Sequence, residues 1–184
     1  MNIDSSLKLS ELPADISARI SAVYEKTGFI PNVFVRLATR PDEFRAFFSY
    51  HDALMEKESG LSKSDREMIV VATSAQNNCL YCVIAHGAVL RIRSKNKLLA
   101  DQVAINLNAA ELTPRQRAML DFALKVSMNS HLVSQKDSDL LKKFGFSEDD
   151  IWDITAITAF FAMSNRLANV LAIEPNDEFY GMGR

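Results

Sequence analysis

Apolar residues recur at three- and four-residue spacing along almost the whole chain, and no useful stretch alternates apolar with polar as a half-buried strand would. The pattern predicts an all-α protein. Pro13 sits where a first helical turn tolerates proline, and the segment through Ile16, Ile20 and Val23 reaches Gly28, a suitable C-terminal stop. A short helix is expected after Pro31 (PNVFVRLA), and Pro41 opens another (DEFRAFFSYHDALM) ending near Ser59-Gly60. Ser62 or Ser64 can cap the next, which carries Glu67, Ile69, Val70, Val71 and Thr73 as far as Gln76-Asn77-Asn78, where two asparagines suit a helix stop and a new N-cap. From Cys79 a helix continues through Val83, Ile84, Ala88 and Leu90, and a further one covers LLADQVAINL. Thr113 caps a strong helix with Pro114 at its first position, running to about Met128. Ser134 and Ser147 cap the last two.

Nothing in this succession marks a linker, a repeat or a low-complexity run, so residues 1–184 are read as one domain. With 48% hydrophobic and 24% charged residues, the chain can fill one sizeable core. Nine or so short helices with that apolar content suggest more apolar surface than a single core hides, which predicts a homo-oligomer. The stretch from Ile154 to Asn165 is uncharged for twelve residues, short of the roughly 20 that a bilayer-spanning helix needs, and reads as a buried core helix. No membrane partner is expected. A formal charge of −2, without a basic block, argues against nucleic acid. The N-terminus lacks the pattern of a secretory signal, so the compartment is read as cytoplasmic.

The chemistry concentrates in residues 60–110, where the chain's two cysteines, Cys79 and Cys82, lie three apart. In a reducing compartment this spacing suggests redox or metal chemistry more than a structural framework. Cys79, Cys82 and His86, three and four residues apart, share one stripe of a helix capped by Asn78. The helix start favours a thiolate at Cys79 and the histidine favours one at Cys82, so the cues disagree on the nucleophile. Glu67 precedes Asn77 by ten residues and His86 follows it by nine. If the two helices fold back as a hairpin, each residue stands ~15 Å from the turn at ~1.5 Å rise per residue. A carboxylate beside an imidazole can hold its tautomer and pass protons.

The pattern of Glu67, eleven residues, Cys79-Leu80-Tyr81-Cys82, three residues and His86 resembles the signature of the AhpD-like alkylhydroperoxidases within the carboxymuconolactone decarboxylase superfamily. The flanks GFIPNVF (28–34), SGLSKSDREMIVVATSAQNN (59–78) and CVIAHGAVLR (82–91), with NRLANVL (165–171), are similar to its peroxidase-related branch and extend the likeness over most of the chain. The resemblance implies a single-domain helical bundle assembled as trimers or hexamers. It implies a thiol peroxidase that reduces organic hydroperoxides or hydrogen peroxide through a Cys79–Cys82 disulfide, recycled by an external thiol reductant or redox protein. Carried over by position, Cys82 attacks the peroxide, Cys79 closes the disulfide and donates a proton, and Glu67 and His86 form the relay. One departure is Tyr81, where AhpD proper has histidine.

The same residues admit other readings. The pair would equally serve a disulfide reductase feeding another peroxidase, or a redox-sensing interaction protein. A decarboxylase fits less well, because that branch does without the cysteines. Zinc would need four ligands, and beyond Cys79, Cys82 and His86 only His51, His131 or a carboxylate remain. No metal and no cofactor are therefore expected. His51 either joins the site or merely covers it, Tyr81 is a pocket wall, and Asn165 and Arg166 interrupt an apolar helix for a reason the sequence leaves open.

Overall fold

The computed structural model describes residues 8–184; the first seven residues, which belong to the N-terminal segment read for a secretory signal, lie outside the described part. Ten α-helices and no strand occur among the described residues: α1 (Ala14–Thr27), α2 (Asn32–Ala38), α3 (Pro41–Met55), α4 (Lys63–Gln76), α5 (Leu80–Ser94), α6 (Leu99–Ile105), α7 (Pro114–Asn129), α8 (Gln135–Lys143), α9 (Glu148–Val170) and α10 (Asp177–Gly181). The all-α expectation holds, with one helix more than the pattern suggested.

Side-chain caps explain most of the starts. Ser62, Thr113, Ser134 and Ser147 each form a reciprocal capping box with the third residue of the helix they open. Gly28 ends α1 in the left-handed region (φ 84°), its N–H donating to the Tyr24 carbonyl at 2.8 Å. Two ends fall short of expectation. α3 stops at Met55 rather than near Ser59-Gly60, because Gly60 belongs to a tight link: a Cβ there would stand 2.5 Å from Asp150 Oδ2. α6 stops at Ile105, since the Asn106 side chain accepts the Asn108 N–H (3.1 Å) and turns the chain into a short 3-10 segment.

α4 is the axis of the bundle. Its ten residues Asp65 to Ser74 are all buried, because α5, α6, α7 and α9 pack around it. A helix covered on every side needs no polar face, which is why its sequence reads as a run rather than a stripe. The main core joins Met68, Ile69, Val70 and Val71 to Leu90 of α5, Leu120 of α7 and Ile154, Ile157 and Phe161 of α9. Each fully buried side chain of this size stabilises the fold by about 1.5–3 kcal/mol. A second, aromatic cluster links α1, α2 and α3 through Phe34, Phe44 and Phe48. A third gathers Phe29, Tyr81, Cys79, Cys82 and Phe179, where the C-terminal segment lies on α5 with Arg91 donating to the Phe179 and Met182 carbonyls. The apolar stretch from Ile154 lies in the middle of α9, mostly buried but with Thr155, Ala159 and Met163 exposed, and no helix among the described residues is long and apolar enough to cross a membrane.

Candidate active site

α4 and α5 form a tight hairpin whose turn is Asn77-Asn78-Cys79. Asn77 ends α4, and Asn78 takes the left-handed conformation (φ 52°) that asparagine tolerates better than most residues. Cys79, not Asn78, is the N-cap of α5. Its N–H is spent on the Ser74 carbonyl (2.9 Å), which ties it back to α4 and lets the helix begin one residue later than the sequence suggested. Cys79 and Cys82 are both buried, and both are free thiols.

The acidities of the two thiols are linked. Hydrogen bonding from the Cys82 thiol lowers Cys79 from an ordinary 9.0 to about 7 against the opposing effect of burial, helped by the Cys82 backbone N–H, the Asn165 amide and the charge of His86. Cys82, as the donor in that bond and deeply buried, is pushed far upward. One thiolate therefore forms readily in the pair and a second does not. Ser164 Oγ stands 4.0 Å from the Cys82 sulfur.

The hairpin brings Glu67 and His86 level, as their spacing from the turn requires. His86 Nδ1 meets Glu67 Oε2 at 2.8 Å, with Glu67 buried and Arg93 Nε at 3.8 Å from its other oxygen. Phe161 holds the His86 ring edge-on at 4.7 Å. His51, on α3, is at the site and not merely over it. Its ring centre is 6.3 Å from that of His86, and its Nδ1 lies 3.1 Å from Asp52 Oδ1. Burial, and then the neighbouring His86, hold its pKa below the ordinary value.

A cavity of about 450 Å³ opens between α1, α2, α3 and α5, within the size range of small-molecule sites. Phe29, Phe34, Phe47, Phe48, Phe161 and Phe179 are among the residues of its wall. Cys82, His86, Glu67 and His51 line it, whereas Cys79 lies behind Cys82 and does not. Tyr81 is a wall as expected, its hydroxyl turned to the Val33 backbone N–H at 3.3 Å. The interruption of α9 resolves into two roles: Asn165 is fully buried, accepting from Asn77 and donating to Ser74 (both 2.9 Å), while the exposed Arg166 donates to the Ala162 carbonyl. Ser164 and Asn165, placed beside the thiols by a helix eighty residues away in sequence, carry no local signal beyond two polar residues ending an apolar run. No group of three or more His, Cys, Asp or Glu residues able to hold a metal occurs among the described residues.

The sequence model of the carboxymuconolactone decarboxylase family matches residues 41–125, the stretch that contains all four of these side chains and His51. A solved structure from Ralstonia eutropha JMP134, an uncharacterized peroxidase-related protein described as an alkylhydroperoxidase AhpD core, is 62% identical over 97% of this chain and 94% of its own, with a TM-score of 0.95. The chain belongs to the AhpD-like group of the carboxymuconolactone decarboxylase superfamily. A peroxidase-related protein from Silicibacter sp. TM1040 is 39% identical over 97% of this AhpD-like chain and 94% of its own (TM-score 0.92). The debrominase Bmp8, solved with 2,3,4-tribromopyrrole, shares the fold at 17% identity over 96% of this chain and 92% of its own (TM-score 0.79). No match is found among curated proteins.

Proposed function

We propose that this AhpD-like protein is a thiol peroxidase that reduces organic hydroperoxides through Cys82 and Cys79. The observation that carries the reading is the asymmetry of the cysteine pair at the cavity: Cys82 forms part of its wall, with the His86–Glu67 pair one helical turn on, and Cys79 backs it out of reach. The easier thiolate is at Cys79, which would make Cys79 the nucleophile if charge alone decided. Access decides otherwise. Transfer of the Cys82 proton to the Cys79 sulfur along their hydrogen bond places the thiolate at the cavity without ionising the second thiol. That thiolate attacks the distal peroxide oxygen, an S–O bond forms, the O–O bond breaks, and the alcohol leaves with the proton the distal oxygen carried, so that Cys82 ends as a sulfenate. The Cys79 thiol then attacks the Cys82 sulfur, the S–S bond forms, the S–O bond breaks, and the oxygen leaves as hydroxide with the Cys79 proton. An external dithiol returns both residues to thiols.

The cavity favours organic peroxides over hydrogen peroxide. At about 450 Å³ it is many times the roughly 30 Å³ that a water molecule occupies, and its aromatic wall gives an apolar group more to contact than a small polar oxidant. The homo-oligomer expected from the sequence, a trimer or hexamer by family resemblance, belongs to the same reading.

The test is turnover and trapping. The reduced protein should consume cumene hydroperoxide continuously with dithiothreitol; a single round without turnover would favour the redox sensor. A sulfenic-acid reagent should label Cys79→Ser after one equivalent of peroxide and leave Cys82→Ser unlabelled. Labelling of Cys82→Ser in place of Cys79→Ser would reverse the roles.

A further inference from the structure

His86 is engaged by Glu67 and stands one turn from Cys82, which suits it to carry off the proton that leaves the thiol pair when its one thiolate forms. The peroxide step moves a second proton, the one carried by the hydroperoxide itself, and something in the cavity must hold it while the O–O bond breaks. Arg19, Lys26 and Arg93 at the cavity offer only donors. Glu56 is taken by Lys63 and Arg93, and the Tyr81 hydroxyl is pushed upward by burial. His51 remains. Its Nδ1 edge faces Asp52, which Arg19 holds at 2.9 Å, so Nε2 at the opposite edge of the ring is turned away from that carboxylate. The rings of Phe48, Phe160 and Phe161 stand 6.3, 6.1 and 6.3 Å from its centre. At 6.3 Å between ring centres, the two imidazoles stand at a span that one oxygen atom can bridge with two hydrogen bonds of about 2.9 Å.

Resting on the peroxidase reading, we propose that His51, oriented by Asp52, is a further catalytic residue that accepts the hydrogen of the substrate's O–O–H group and returns it to the departing oxygen. The step balances. The Cys82 thiolate forms a bond to the distal oxygen, the O–O electron pair leaves on the proximal oxygen, and the distal proton passes through His51 Nε2 to that oxygen. The products are Cys82 sulfenate and a neutral alcohol, with sulfur oxidised by two electrons and the peroxide reduced by two. The lowered pKa of His51 fits this use, because a neutral ring that donates from Nδ1 to Asp52 presents an acceptor at Nε2.

The experiment compares two reactions of the same reduced thiols, oxidation by one equivalent of cumene hydroperoxide and alkylation by iodoacetamide. Both need the thiolate, but only the first needs a proton returned to a leaving oxygen. His51→Ala should oxidise about 10²-fold more slowly while its alkylation rate stays at the wild-type value. Added imidazole should restore the oxidation rate, and pyrazole, of the same shape but a far weaker base, should not. A wild-type oxidation rate in His51→Ala would overturn the proposal. So would a parallel fall in alkylation, or equal rescue by pyrazole, both of which mark a packing role. If His51→Ala does not fold, His51→Gln keeps most of the volume without the base, and full peroxide reactivity in it overturns the proposal as well. Wild-type protein inert to hydroperoxide would sink the peroxidase reading itself, and this one with it.

Discussion

Arg66 and Glu67 are consecutive residues of α4, both charged and both buried, yet they are surrounded in opposite ways. The Arg66 guanidinium is fully enclosed, donating to the Leu54 carbonyl, to Ser59 Oγ at 2.6 Å and to Asp153 Oδ2 at 2.9 Å, while Lys57 holds the other Asp153 oxygen at 2.9 Å. Those partners join the α3–α4 link to α9. Glu67, rotated about 100° around the helix, meets the imidazole of His86 at 2.8 Å, the Arg93 guanidinium only at 3.8 Å, and a cavity. A buried charge whose partners are fixed donors and carboxylates stabilises one arrangement of helices. A buried charge paired with an imidazole beside a cavity and a thiol is placed for proton transfer.

The comparison breaks most visibly at Arg66. Arg66→Ala leaves Asp153 buried with only Lys57, and removal of one member of a buried pair costs about 3–5 kcal/mol. For a chain of this length that amounts to a fall in Tm of about 10 °C or more, read by thermal denaturation. An unchanged Tm would mean that the ion pair contributes nothing to the frame. At Glu67 the effect should move from stability to rate. Glu67→Gln keeps the volume and removes the charge, so folding free energy should change by no more than about 1 kcal/mol, while thiol oxidation by cumene hydroperoxide slows by about 10²-fold. His86→Ala should show the same rate loss in stopped-flow. A large Tm loss with an unchanged rate would place Glu67 with Arg66 as a structural charge.

The difference between these two neighbours was only half legible in the sequence. Glu67, Cys79, Cys82 and His86 could be brought together on paper because they lie on two helices joined by a short turn, where counting residues fixes height. The caps Ser62, Thr113 and Ser147 were legible for the same reason, since their chemistry completes itself within four residues. Arg66 carried no mark, because its partner Asp153 lies eighty-seven residues away and a lone arginine on a helix reads as solvated. The cavity was equally hidden: its phenylalanines come from the α1–α2 link, α2, α3, α9 and the C-terminal segment, and each taken alone is an ordinary core residue. His51 stayed ambiguous, since nothing local shows that α3 crosses the α4–α5 hairpin beside His86.

A titration sharpens the same contrast by acting on the site alone. The Cys79 thiol is lowered to about 7 by the Cys82 thiol and its surroundings, so thiolate is present above that pH and is lost as the pH falls through it. Thiolate absorbance in the ultraviolet should show one proton released with a midpoint near 7. The second should not titrate in the accessible range, because Cys82 is pushed upward. Peroxide reactivity should fall up to tenfold for each pH unit below the midpoint while circular dichroism stays constant. A midpoint near the ordinary 9.0 would remove the coupled pair from the mechanism.

The smallest expected effect tests the helix that carries both residues. Ser62 caps α4, its Oγ accepting the Asp65 N–H at 3.0 Å while its own N–H donates to Asp65 Oδ2 at 3.1 Å. Ser62→Ala deletes the first of these bonds and should cost about 1 kcal/mol, a shift of about 2–4 °C in Tm. Arg66, in the first turn, lies next to the loosened end, whereas Glu67 is pinned to α5 by His86. Rate and stability should therefore separate again: Ser62→Ala lowers Tm slightly and leaves the thiol oxidation rate unchanged. A rate that falls with the cap would show that the Glu67–His86 pair depends on the helix start more than on its own hydrogen bond, and that frame and site are not independent along α4.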